Sequence, residues 1–204
     1  MQIIHLEKDL AFKKCRGCQF IKSYFWVIVL MAFAVRFFPT FSSVFATILL
    51  VGIPVFLFKK TPSDLGFKNF SKGALYGTLA SLLVLPFYFV LCSQFGFKAP
   101  FSLNLSMVAY FLSVAVSEEV FFRGFFYAVY ENEELLKGLL TKNNLVSSFL
   151  FGVAHALIFY NPDMFKVFFP SLVMGWLYER SGSLLAPIIF HFFSDLTYQF
   201  ARCL

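Results

Sequence analysis

The chain has 204 residues, of which 59% are hydrophobic and 14% charged, with 32 Phe, a mean hydropathy of +0.76 and a net charge of +6. Soluble domains carry about 25% charged residues, so this chain lacks the polar surface to cover a water-facing globule. The composition excludes an ordinary soluble domain, and the placement of the positive charge in loops, rather than its sum, argues against a nucleic-acid partner.

Long unbroken apolar runs point to helices, because only helices and closed barrels satisfy the backbone in lipid, and barrel strands would alternate apolar with polar residues. The predicted architecture is an all-α, polytopic transmembrane helical bundle of about seven membrane helices, with six to eight compatible with the boundaries. Residues 1–22 form a basic segment containing Lys8, Lys13, Lys14, Arg16 and Lys22, followed by a single helical domain over 23–204. Within 1–22, Cys15-Arg-Gly-Cys18 is a lone C-x-x-C without a second pair or nearby histidines, so it reads as two reduced thiols rather than a zinc site. No convincing leader-cleavage site follows the first apolar run, because Phe41 to Ala46 lacks small residues at both key positions.

The apolar segments fall at about 23–38, 41–58, 73–92, 105–130, 145–160, 164–178 and 184–200. Pro39 and Thr40 make the first turn, and Lys59 to Lys72 a basic loop. Gly73-x-x-x-Gly77 opens the third segment as a close-packing signature. A loop at 93–104, a charged stretch at 131–144, Asn161-Pro162-Asp163 and Glu179 to Ser183 separate the rest. Several segments are shorter than the ~20 residues that cross a bilayer, and the sixth also fits a re-entrant path. With the amino terminus in the cytoplasm, inner segments hold 12 Lys and Arg, and outer segments hold 4: Arg36, Lys98, Lys166 and Arg202. The positive-inside rule therefore places the amino terminus inside.

Six ionisable residues fall within the apolar segments: Glu118, Glu119, Arg123, His155, His191 and Asp195. An ionisable residue at the bilayer centre costs roughly 2.5–3.5 kcal/mol on insertion scales, so each calls for a partner or a function. Glu119 and Arg123 are four residues apart and can pair on one helix face, whereas Glu118 is turned about 100° away. His191 and Asp195 repeat the four-residue spacing on the last segment. His155 stands between Gly152 and Ala156, a small face that a neighbouring helix can approach. Glu119 with Arg123 alone reads equally well as a folding clamp, and a single histidine as an interhelical hydrogen bond. Six such residues on three helices resist a packing explanation. Proton relays use similar residues, which leaves a proton-coupled transporter as an alternative, although no paired inverted halves are evident.

These residues resemble the CAAX protease and bacteriocin-processing family of intramembrane proteases, which includes the type II CAAX prenyl endopeptidases. The resemblance lies in Glu118-Glu119-Val-Phe-Phe-Arg123, Phe151-Gly-Val-Ala-His155 and His191-Phe-Phe-Ser-Asp195, in that order, within 107–195. It implies a peptide hydrolase with its active site in the membrane and a membrane-embedded or membrane-associated peptide or protein as substrate. Glu118 would be the general base, helped by His155. His191, backed by Asp195, would stabilise the oxyanion or join the leaving-group proton transfer, and Glu119 with Arg123 would form the supporting pair. Asp195 stands where the family often has Asn, which leaves its role between a protonated donor, an orienting acceptor and a metal ligand. No cofactor is required on the favoured reading; Zn²⁺ held by Glu118, His155 and His191, with Asp195 as a possible further ligand, is the alternative. A non-catalytic immunity or scaffold protein of the same fold is also compatible. Small size and short loops fit a multi-pass protein of a bacterial inner membrane.

Overall fold

The computed structural model describes the backbone of residues 2–93 and 104–200, and side chains from 17 to 90 and from 104 to 199. The expected loop at 93–104 and the side chains of Cys15, Cys92 and Cys203 lie largely outside the described residues; Cys18 is a free, exposed thiol. All seven apolar segments are helical. They are α1 (Gln2–Phe37), α2 (Ser42–Gly52, extended by a π-helical Ile53–Leu57), α3 (Phe70–Ser93) and α4 (Leu105–Glu119), which runs through a π-helical Val120–Phe125 into α5 (Phe126–Val129). The remaining three are α6 (Lys142–Ile158), α7 (Phe168–Ser181) and α8 (Leu185–Phe200).

Local chemistry sets several of these ends. The Asn104 side chain accepts the Met107 N–H at 3.0 Å to cap α4, and Thr141 accepts the Asn144 N–H at 3.1 Å to cap α6. Gly182 takes the left-handed conformation, φ 64°, that closes α7.

Four stretches are long and apolar enough to cross a membrane: Gly17–Phe37, Pro39–Leu57, Phe70–Val90 and Leu105–Val129. The helices α6, α7 and α8 have 17, 14 and 16 residues, short of the ~20 that span a bilayer upright. Large apolar side chains on the outer faces are mostly exposed, Phe56 at 72% and Leu83 at 74%, as suits a lipid-facing surface.

The helix α1 starts at Gln2 and runs from the basic segment into the first apolar segment without interruption. The Lys, Leu, Glu and Ala residues of this segment are good helix formers, and Phe20, fully buried, already belongs to the core. The charged stretch 131–144 also contains a short antiparallel hairpin, β1 (Glu134–Leu136) with β2 (Leu140–Thr141), in an otherwise all-α fold. Thr141 and Asn132 both donate to the Glu179 carboxylate, tying this hairpin to the end of α7.

The helices close a ring. The helix α1 packs on α2 and α6, α2 on α4, α4 on α8, α8 on α7 and α7 on α6, while α3 lies outside against α8 and α7. Glycines allow the close α3–α8 approach: a Cβ on Gly77 would stand 2.7 Å from the Ala186 carbonyl oxygen. The π-helical segment fills the interior, with Phe121 and Phe125 fully buried against Phe20, ring centroids 5.2 and 5.4 Å apart. The centre of the ring is where the charged residues of α4 point.

Candidate active site

Glu119 and Arg123 come from the end of α4 and the π-helical turn that follows, and neither has solvent exposure. Arg123 Nη1 donates to Glu119 Oε1 at 2.9 Å. Its Nη2 donates to the carbonyl of Ser171 on α7 at 2.9 Å and also to the Ser171 hydroxyl. The guanidinium lies over the Phe151 ring of α6, 5.1 Å from its centroid. One buried cation is thus held by three helices.

Glu119 has a second partner. His191 Nδ1 lies 2.9 Å from the same oxygen, Oε1, and its ring N–H donates to that carboxylate. Glu119 is therefore shared between Arg123 and His191, and the Nδ1 proton of His191 is taken up by Glu119 rather than by Asp195. Asp195 Oδ2 instead stands 3.8 Å from the opposite ring nitrogen, Nε2. The four-residue spacing puts both side chains on one face of α8, but the Nδ1 edge of the ring turns across to α4.

His155 is fixed from its own helix. Its Nδ1 lies 3.0 Å from the Phe151 carbonyl, which can only accept, so Nδ1 carries the proton and a neutral ring presents an unprotonated Nε2. That nitrogen is 3.8 Å from Glu118 Oε2, and His191 Nε2 is 3.7 Å from the same oxygen. Glu118 Oε2 is buried and has no hydrogen-bond partner among the described residues. Glu118, His155, His191 and Asp195 therefore converge from α4, α6 and α8, with Glu119 and Arg123 packed behind them. The small face beside His155 meets a short turn rather than a long helix: a Cβ on Gly152 would stand 3.0 Å from the Phe165 ring in the 3-10 segment Pro162–Val167.

Residues 100–197 match a family model described as Type II CAAX prenyl endopeptidase Rce1-like. The matched segment, 98 of the 204 residues, is similar to an Rce1-like domain and encloses all six residues of the site. No curated protein and no solved structure matches the chain.

The two imidazoles and the Glu118 carboxylate are donor types that zinc accepts, and they are the residues that would hold such an ion. Glu118 Oε2 stands 3.8 and 3.7 Å from the two Nε2 atoms. One residue of the site was not legible in the sequence. Ser171, fully buried, is an uncharged hydroxyl in an apolar helix, and nothing in Phe168-Phe169-Pro170-Ser171-Leu172 distinguishes it from a packing serine.

Proposed function

We propose that this protein is an intramembrane endopeptidase in which Glu118 activates water for attack on a peptide bond. The observation that carries the reading is the placement of Glu118 Oε2 3.8 and 3.7 Å from the Nε2 atoms of His155 and His191. Separations of this size suit a water hydrogen-bonded to the carboxylate and an imidazole together. Glu118 takes the water proton as the oxygen–carbon bond forms, and His155 Nε2 accepts the water's second hydrogen bond. The oxyanion develops beside His191 Nε2 and Asp195. The Glu119 carboxylate on Nδ1 stabilises an imidazolium at His191, whose Nε2–H donates to that oxyanion. Glu118 then returns its proton to the leaving amine as the carbon–nitrogen bond breaks. No step of this sequence requires a metal ion.

The substrate class is a membrane-embedded or membrane-associated peptide or protein, because the site lies among helices whose outer faces are apolar. The excess of Lys and Arg in alternate loops supports a cytoplasmic amino terminus, and the short loops support a bacterial inner membrane. The testing experiment compares the termini of membrane proteins in cells holding the wild-type chain or Glu118→Gln. Termini produced only by the wild type support the reading; identical sets of termini overturn it.

A further inference from the structure

The hydroxyls of the buried and half-buried serines in these helices mostly bond back to their own helix. Ser81 donates to Gly77 O, Ser117 to Val114 O, Ser181 to Leu177 O and Ser194 to Phe190 O, each within three or four residues. Ser171 differs. Its hydroxyl oxygen and its carbonyl both meet the Arg123 guanidinium, 48 residues away in sequence, at a position without solvent exposure.

From there the contacts run in one direction. Arg123 Nη1 reaches Glu119 Oε1, and that oxygen also accepts from His191 Nδ1. Because both bonds end on one oxygen, a rotation of the guanidinium plane displaces the acceptor that orients the His191 ring. The planar fork of arginine makes such coupling stiff, since Nη1 and Nη2 turn together.

We propose that Ser171 is a positioning residue, whose hydroxyl sets the ring orientation of His191 through Arg123 and Glu119. Its importance for catalysis rests on the peptidase reading above; the mechanical coupling to His191 does not. In Ser171→Ala the carbonyl still accepts from Nη2, so Arg123 keeps a partner and the bundle keeps its fold, while one of the two anchors of the guanidinium plane is gone.

The chain has three histidines, His5, His155 and His191, so ring-nitrogen signals of ¹⁵N-histidine-labelled full-length protein in detergent micelles resolve residue by residue. Ser171→Ala is expected to shift the His191 ring signals and leave those of His155 in place, and Ser171→Cys, of similar size but a poor acceptor, to do the same. Unchanged His191 signals in either folded variant overturn the proposal. So does loss of fold in both variants, which would make Ser171 a packing residue only. Absence of any terminus that depends on the wild-type chain would sink the peptidase reading without touching this result.

Discussion

Glu119 Oε1 accepts hydrogen bonds from His191 Nδ1 and Arg123 Nη1, each at 2.9 Å, and it is fully buried. A carboxylate that helical spacing assigns to a salt bridge within its own helix therefore also orients a histidine 72 residues later. This gives Glu119 and Glu118 different liabilities under mutation.

Glu118→Gln keeps the shape of the side chain and removes the base. Cleavage should fall by about 10²- to 10⁴-fold, the range for a positioned general acid–base group. Thermal unfolding of the purified variant should match the wild type. Wild-type cleavage by this variant would remove Glu118 from the role of base.

Glu119→Gln should damage fold and activity together. It leaves the Arg123 guanidinium buried without its counter-charge, a change that costs about 3–5 kcal/mol in buried pairs. A lowered midpoint in thermal unfolding, alongside lost cleavage, is the expected result. A variant with wild-type stability would show that Ser171 and Phe151 suffice to hold Arg123.

Asp195→Asn tests the exposed end of the site. Asp195 does not hold the Nδ1 proton of His191, and its side chain is 29% exposed. An amide there can donate to an oxyanion, which an ionised carboxylate cannot. The variant should keep its fold and retain kcat/KM within about tenfold of wild type, the scale of one hydrogen bond at about 1.4 kcal/mol. A much larger loss would show that the negative charge itself is used.

Chelation gives a separate test of the chemistry. Enzyme stripped of metal with a strong chelator and dialysed should cleave at the wild-type rate. Loss of activity with rescue by Zn²⁺ would mean that Glu118, His155 and His191 close around an ion during turnover.

Gly77→Leu should weaken the contact between α3 and α8, since even a Cβ there meets the Ala186 carbonyl oxygen at 2.7 Å. Overpacking of this kind costs about 1–3 kcal/mol. Gly52→Ala is the control, because the nearest atom to its Cβ would be the Phe56 ring at 3.7 Å. Thermal unfolding of the two variants side by side should separate them.

By itself, the amino-acid sequence determined that this chain lives in a membrane, that its apolar segments are helices, and which six ionisable residues need an explanation. These properties are local: hydropathy, helix-compatible runs and four-residue spacing act within one segment, so Glu119 and Arg123 could be paired from their positions alone. Helix ends were less legible, because Phe20 joins the core by contacts with Phe121 and Phe125, residues about 100 positions away. What only the tertiary structure decided is which helix supplies each partner. Ser171 carries no charge to mark it, and His191 has two candidate acceptors, Asp195 on its own helix and Glu119 on another. Spacing favoured the first; the packing of α4 against α8 brought Glu119 to Nδ1, because ring orientation follows the nearest well-placed acceptor rather than the nearest in sequence.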